Sequence, residues 1–144
     1  MFSFKYDSNR PVLPGEIHVF LAEDGLIYAR ILHAIFIKAG YCFSWIDDGA
    51  KAYEILRGGY RPSLFITDVN MPGMSGFELL TRLKNENILP PSIVLTGMQK
   101  EEEVLRGLQC GAEDYITKPF SPEVLLFRAE QILKRHANSD SKVS

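Results

Sequence analysis

The sequence predicts an α/β fold in which five parallel strands form an open, doubly wound sheet. Short apolar runs alternate five times with segments whose apolar residues follow helical spacing, and turn-forming residues separate them. The third run, Leu64–Thr67, is almost wholly apolar, as expected for a central strand covered on both faces. Because each strand is followed by a helix, neighbouring strands must pair in parallel through right-handed crossovers.

The ten predicted elements are separated by recognisable start and stop signals. The strands are expected at residues 17–22, 41–46, 64–67, 92–96 and 115–117, and the helices at residues 26–39, 50–57, 77–84, 101–110 and 122–135. The apolar residues of the first helix recur with helical spacing at Ile27, Ile31, Ala34 and Ile35. Ser121 is a suitable N-cap for the last helix, with a proline at its first position.

Length and composition indicate a single domain. The chain has 144 residues, of which 46% are hydrophobic and 24% charged, and its net charge is −2. We expect residues 1–15 to be a flexible lead-in, residues 16–136 to form the domain, and residues 137–144 to be a polar tail or the start of a linker. The near balance of charges argues against direct binding to nucleic acid or to an anionic membrane surface.

Targeting signals and cysteines favour a cytoplasmic protein. The first residues lack the apolar run of a signal peptide, and the longest apolar stretch, residues 26–43, is interrupted by charged residues. The two cysteines, Cys42 and Cys110, lie in apolar segments without CxxC or His-rich spacing. We interpret both as reduced core residues rather than as a disulfide or zinc ligands.

Polar residues end or follow four of the predicted strands and are expected to meet at one sheet edge. They are Glu23, Asp24, Asp68, Thr96 and Lys118. Ligands of doubly wound sheets bind at this edge, beyond the carboxyl ends of the strands. Three carboxylates that meet there would repel one another unless a cation lay between them. All-oxygen donors favour Mg²⁺, Mn²⁺ or Ca²⁺ over zinc, and this set is typical of phosphoryl transfer.

Asp68 is the candidate nucleophile, because it leaves the most buried strand on a rigid scaffold and could form an acyl phosphate. Lys118 could pair with Asp68 at rest and with a phosphoryl oxygen afterwards. The Thr96 hydroxyl would add a hydrogen-bond donor for the phosphoryl group.

Four segments, in this order, resemble the receiver domain of two-component response regulators: LAED, LFITDVNMPGMSGFELL, IVLTG and GAEDYITKPFSPEVL. The resemblance runs from about Glu16 to Arg135. It implies a flavodoxin-like, CheY-like sheet with strand order 2-1-3-4-5. Its first acid, Glu23, stands where Asp is commoner, and Gly25 and Ser63 also depart from the usual pattern without removing a required chemical group.

The resemblance also implies roles for the site residues. Asp68 would take a phosphoryl group from a histidine kinase or a phosphotransfer protein, and Lys118 would be the family's lysine, followed by a cis bond to Pro119. Thr96 would move toward the phosphoryl group, and Tyr115 would turn inward with it as the switch aromatic. Magnesium, with manganese as an alternative, would be held by Glu23, Asp24, Asp68 and the main-chain carbonyl of Asn70.

Two further hypotheses concern signalling. The segment from Glu101 onward resembles receivers of winged-helix transcription factors, which dimerise through the fourth helix, fifth strand and fifth helix. The possible dimer face carries Arg106, Glu113, Asp114 and Arg128, together with Glu102. Asn70 and Met98 would border the path of the attacking water, and the bulk of Met98 predicts slow self-dephosphorylation.

For each competing function, the sequence lacks a residue or motif that the function requires. A haloacid-dehalogenase-type phosphohydrolase needs a second Asp where Asn70 stands, and an FMN-binding flavodoxin needs a Ser/Thr-rich first loop. A nucleotide hydrolase would need GxxxxGK[ST], which the sequence does not contain. We therefore predict a signalling receiver rather than an enzyme acting on other substrates. Because 144 residues are enough for a receiver but too few for an effector domain as well, we expect the signal to be passed on through a partner, a second copy of the chain or further sequence.

Overall fold

A computed structural model describes residues 5–7 and 13–143 of the chain. Strands and helices alternate along it, and the five strands form one parallel sheet. The strands are β1 (His18–Ala22), β2 (Cys42–Ile46), β3 (Leu64–Thr67), β4 (Ser92–Thr96) and β5 (Asp114–Thr117). The helices are α1 (Leu26–Lys38), α2 (Gly49–Arg57), α3 (Gly76–Asn85), α4 (Glu101–Gln109) and α5 (Pro122–Val143).

The strand order is β2-β1-β3-β4-β5, which confirms the doubly wound, flavodoxin-like sheet. Alternate residues of each strand face opposite sides, so that Leu21 and Ile66 pack beneath α1 and α5. Phe20 and Phe65 pack on the other side with residues of α2 and α3. Two apolar clusters therefore hold the sheet rigid between its helical layers, and the carboxyl ends of the strands share one edge.

The buried face of α1 differs from the one that the spacing of its isoleucines suggested. Ala29, Leu32 and Phe36 are completely buried, whereas Ile27 is 73% exposed and Ile31 is also on the surface. The helix carries apolar residues on nearly every side, so periodicity alone could not choose the face. As a result, α1 presents an apolar stripe to solvent.

At both ends of the chain the structure holds secondary structure that the sequence did not predict. The last helix continues past Arg135 to Val143, because no glycine or proline interrupts residues 136–143. Within the predicted flexible lead-in, Lys5 forms a β-bridge to Trp45, and the Tyr6 amide donates to the Trp45 carbonyl at 2.8 Å. Residues 1–4 and 8–12 of that lead-in lie outside the described residues, as does Ser144.

Most remaining element boundaries agree with expectation to within one residue. Cys42 and Cys110 are free thiols and both are half-buried, Cys42 at the start of β2 and Cys110 at the end of α4, where it packs against the apolar core. Among the described residues, no helix combines the length and the apolar character needed to cross a bilayer.

Candidate functional site

The polar residues predicted to meet at one sheet edge do so. Glu23 and Asp24 follow β1, Asp68 follows β3, Thr96 ends β4 and Lys118 follows β5. Oxygen atoms of Glu23, Asp24 and Asp68 all lie within 4.8 Å of one another. Parallel pairing of β1 with β3 sets this convergence, because Ala22 and Thr67 are register partners and the acids come directly after them.

Lys118 lies between two of the carboxylates. Its Nζ donates to Glu23 Oε1 at 2.5 Å and to Asp68 Oδ2 at 3.0 Å. Only 11% of the Lys118 side chain is exposed, and the Glu23 and Asp68 side chains are 3% and 11% exposed. A single ammonium therefore compensates two buried carboxylates, and Asp24 adds a third acid on the exposed side of the cluster.

Burial and charge shift the proton equilibria of this cluster. Burial, reinforced by the negative charge of Asp68 and opposed by hydrogen bonds from Lys118 and the Gly25 amide, raises the pKa of Glu23 to about 7. Burial disfavours the charged form of Lys118, but its two carboxylate partners outweigh that effect and raise the pKa of the ammonium. The cluster therefore holds more negative charge than one lysine satisfies, which suits an additional cation.

The loop after β3 fixes the Asp68 carboxylate. Its Oδ1 accepts a hydrogen bond from the Val69 amide at 2.6 Å, which leaves Oδ2 to Lys118. Ser75 caps α3, and the Gly76 amide donates to the Val69 carbonyl at 2.8 Å. A Cβ at Gly76 would overlap the Asp68 carbonyl oxygen, so this glycine permits the close approach of α3 to the loop.

The predicted switch residues form a connected group beside the acids. Thr96 is 1% exposed, and its hydroxyl oxygen lies 3.5 Å from the Met98 amide, at the limit of a hydrogen bond. The Tyr115 ring is already buried, and its hydroxyl donates to the Met98 carbonyl at 2.8 Å. Gly107 of α4 lies against that ring, where a Cβ would come within 2.8 Å of it. The β4–α4 loop thus joins the site to α4 and β5.

Asn70 and Met98 occupy different surroundings. Asn70 is exposed two residues after Asp68, whereas Met98 is half-buried against the apolar cluster that contains Tyr115.

The bond between Lys118 and Pro119 is cis, as the resemblance implied.

Four of the five charged residues of the predicted dimer face have partners within the chain. Arg128 pairs with Asp114 at 3.0 Å, and Glu113 pairs with Arg135 at 2.7 Å and contacts His136. The Arg106 guanidinium lies 4.6 Å from the centre of the Phe77 ring. Apolar side chains are exposed beside these charges, namely Leu105, Leu108, Val124 and Phe127.

Two aromatic residues that the sequence did not single out support the site. Lys118 Nζ lies 3.9 Å from the centre of the Tyr28 ring, so the ammonium also has a cation–π partner. The indole of Trp45 donates to the Glu23 carbonyl at 2.6 Å and holds the end of β1. Neither contact has a short-range sequence signal, because each joins residues from different elements.

The carboxylate cluster, its lysine and the sheet order define a class of protein, and comparisons with known proteins identify it. The family described as response regulator receiver domain matches residues 19–130. The aerobic respiration control protein ArcA of Escherichia coli strain K12 is 40% identical over 121 residues, which cover 84% of this chain and 50% of that protein. The chain belongs to the response regulator receiver family and is a receiver domain of two-component signalling.

Solved structures agree with this assignment. The receiver domain of the Francisella response regulator 1452 superimposes with a TM-score of 0.79 at 30% identity, covering 84% of this chain and 99% of that one. A receiver domain of the Pseudomonas aeruginosa sensor histidine kinase PA1611, solved with magnesium in its active-site cleft, has a TM-score of 0.75, 83% and 99% coverage, and 21% identity, which shows the shared fold alone. The chain spans about half the length of the curated relatives that it matches.

Proposed function

We propose that Asp68 is the phosphoacceptor of this receiver and takes its phosphoryl group from a phosphohistidine of a histidine kinase or phosphotransfer protein. The observation that carries this proposal is the Asp68 carboxylate, held between Lys118 and the Val69 amide at the edge where Glu23, Asp24 and Thr96 meet. In the transfer, a carboxylate oxygen bonds to phosphorus as the P–N bond breaks, and the released histidine takes a proton from solvent.

The donor set supports Mg²⁺ as the cofactor, with Mn²⁺ as an alternative. Glu23, Asp24 and Asp68 offer only carboxylate oxygens, which suit a hard cation, and their excess negative charge favours one. The main-chain carbonyl of Asn70 would complete the protein ligands. When bound, the ion would neutralise charge on the phosphoryl oxygens.

Lys118 and Thr96 would recognise the phosphoryl group once it is attached. A phosphoryl group carries roughly −1.5 to −2 charges and replaces the single negative charge of the carboxylate, at a position now contacted by one ammonium. Lys118 would exchange its contact with Asp68 Oδ2 for a phosphoryl oxygen, and Thr96 would donate its hydroxyl. Movement of Thr96 would alter the Met98 backbone and with it the hydrogen bond from Tyr115, which links the site to α4 and β5.

An apolar groove beside the site supports a protein as the phosphodonor. The groove, about 780 Å³ in volume, lies between the start of α1 and the loop after Lys118, and is lined by residues such as Ile27, Ile31 and Phe120. Its position next to Asp24 and Lys118 would let a kinase cover apolar surface while its phosphohistidine reaches Asp68. We propose that this phosphoryl transfer takes place in the cytoplasm.

Self-dephosphorylation would end the signal. Water attacks phosphorus, the P–O bond to Asp68 breaks, and the carboxylate and inorganic phosphate are released. Asn70 and Met98 would tune the rate, because both follow site residues by two positions and Met98 brings apolar bulk to the approach.

Phosphorylation-linked homodimerisation through α4, β5 and α5 is the output that we propose. Exposed Leu105 and Phe127 would be covered, and the Arg128–Asp114 pair could exchange its partners between copies. Light scattering after size exclusion, with and without the phosphoryl mimic beryllofluoride, tests this. The mass should double with the mimic in the wild type and not in Asp68→Asn, whereas an unchanged mass at high concentration would contradict dimerisation.

The phosphoacceptor itself is tested by labelling with radioactive acetyl phosphate in the presence of Mg²⁺. Wild type should be labelled, Asp68→Asn should not, and removal of the metal by a chelator should abolish labelling. Asp47→Asn is the matched control, because Asp47 follows β2 at the same sheet edge but pairs with Lys5 outside the cluster. Equal labelling of wild type and Asp68→Asn would overturn the assignment.

A further inference from the structure

A second cluster of metal-binding side chains lies at the opposite edge of the sheet. His18 Nε2 is 2.8 Å from Glu16 Oε2, and Cys42 Sγ donates to the same oxygen at 3.0 Å. One potential ligand atom from each of the three residues lies within 4.8 Å of the other two. Glu23 follows His18 by five positions along β1, which is about 16 Å of extended strand, so this cluster is independent of the phosphorylation site.

Strand pairing brings the three side chains together. His18 and Cys42 are register partners in β1 and β2, and the Cys42 amide donates to the Ile17 carbonyl at 2.9 Å. Glu16 precedes His18 by two residues, which places both side chains on the same side of the extended chain. His18 is 4% exposed, and its amide donates to the Ser63 hydroxyl at 3.1 Å. The donors are therefore held in place by the sheet.

The chemistry of the donors indicates which ion they would accept. A thiolate, an imidazole and a carboxylate are the three ligand types of protein zinc sites, with bonds of about 2.0–2.3 Å. Mg²⁺ and Ca²⁺ prefer oxygen ligands alone and are disfavoured by the sulfur and nitrogen donors. Ligand atoms grouped this closely can surround a tetrahedral ion after small side-chain rotations, and water would take the fourth position.

We propose that Glu16, His18 and Cys42 form a Zn²⁺ site. Binding replaces the two contacts that now converge on Glu16 Oε2: the Cys42 thiol releases its proton to solvent as the S–Zn bond forms, and no electron is transferred. The ion would fasten the segment before β1 to both β1 and β2. Because zinc would bind the folded chain through residues that are apart in the unfolded one, it should raise the melting temperature.

The test uses the reduced full chain, with Co²⁺ as a spectroscopic probe and Zn²⁺ in calorimetry. The titrations use the wild type with excess Mg²⁺ and are repeated in Asp68→Asn, to show that the carboxylate cluster does not contribute. Co²⁺ should produce a thiolate-to-metal charge-transfer band that Zn²⁺ removes, and Zn²⁺ should bind with one ion per chain. If the folded wild type shows no such band, or binds no Zn²⁺, the proposal is wrong.

Variants assign the ligands. Cys42→Ser should abolish the band. Glu16→Gln should weaken Zn²⁺ binding by at least about tenfold, since loss of a residue that only hydrogen-bonds to a metal ligand typically weakens metal binding by about 10- to 100-fold. Cys110→Ser is the matched control and should bind like wild type, because Cys110 lies outside the cluster. Circular dichroism confirms that each variant folds. A band that survives Cys42→Ser, or binding unchanged in Glu16→Gln, would refute the site; acetyl-phosphate labelling of Asp68 should be the same in all of them.

Discussion

Replacing Lys118 by Met tests whether one ammonium stabilises the carboxylate cluster. With an effective dielectric constant of about 20, two unit charges at the 3.0 Å separation of Lys118 and Asp68 interact by about 5.5 kcal/mol. Desolvation of the buried ammonium cancels part of this attraction. Removal of one partner from a buried ion pair typically costs about 3–5 kcal/mol, because the remaining charge is left uncompensated. We expect Lys118→Met to lower the free energy of unfolding by that amount.

The assay is urea unfolding at neutral pH, without divalent cations. Below the ordinary pKa of lysine the stabilisation by Lys118 is fully present, and it is lost only as the pH rises through the raised pKa of the folded chain. Lys134→Met is the matched control, because Lys134 is exposed on α5. Adding Asp68→Asn to Lys118→Met should restore part of the loss. A loss below about 1 kcal/mol, as for surface ion pairs, would refute the reasoning.

Three further predictions follow from the same region. Gly107→Ala should destabilise the chain by about 1 kcal/mol in urea unfolding, because overpacking against Tyr115 outweighs the gain in helix propensity; a stabilisation would contradict this. Met98→Ala should accelerate loss of phosphate from the labelled chain, and an unchanged rate would disprove the shielding role of Met98. Burial raises the pKa of the Glu23 carboxyl from 4.5 to about 7 in the folded chain, so the unfolded chain loses this proton at a lower pH than the folded chain. Without metal, the free energy of unfolding of the wild type, relative to that of Glu23→Gln, should therefore fall as the pH rises from 4.5 to about 7. A relative stability that rises across it would be inconsistent with a buried, protonated Glu23.

The convergence of the acids could be predicted from the sequence because parallel strands end at one edge, whatever their distance along the chain. Strand order was implied by the family resemblance, and register pairing then places Glu23 beside Asp68. The contacts of Tyr28 with Lys118 and of Trp45 with the Glu23 carbonyl depend on how helices and side chains pack, which local pattern does not encode.

Other differences have the same physical origin. The face of α1 could not be chosen because Leu32 and Ile31 are equally apolar, and only the position of the helix on the sheet buries the first. The group of Glu16, His18 and Cys42 has no recognisable spacing, since it exists only through the pairing of β1 with β2. The sequence therefore predicted the convergence that follows from strand order. It did not predict contacts that depend on how helices pack on the sheet or on which residues of neighbouring strands lie side by side.

The central claim is that the phosphoryl group resides on Asp68, and mapping the modified residue tests it most directly. The chain is phosphorylated with acetyl phosphate and Mg²⁺, the acyl phosphate is reduced with borohydride, and the peptides are sequenced by mass spectrometry. Reduction converts a phosphorylated aspartate into homoserine, and we predict homoserine at position 68 alone. Modification at Asp24 instead, or an unmodified Asp68 in a labelled chain, would contradict the account.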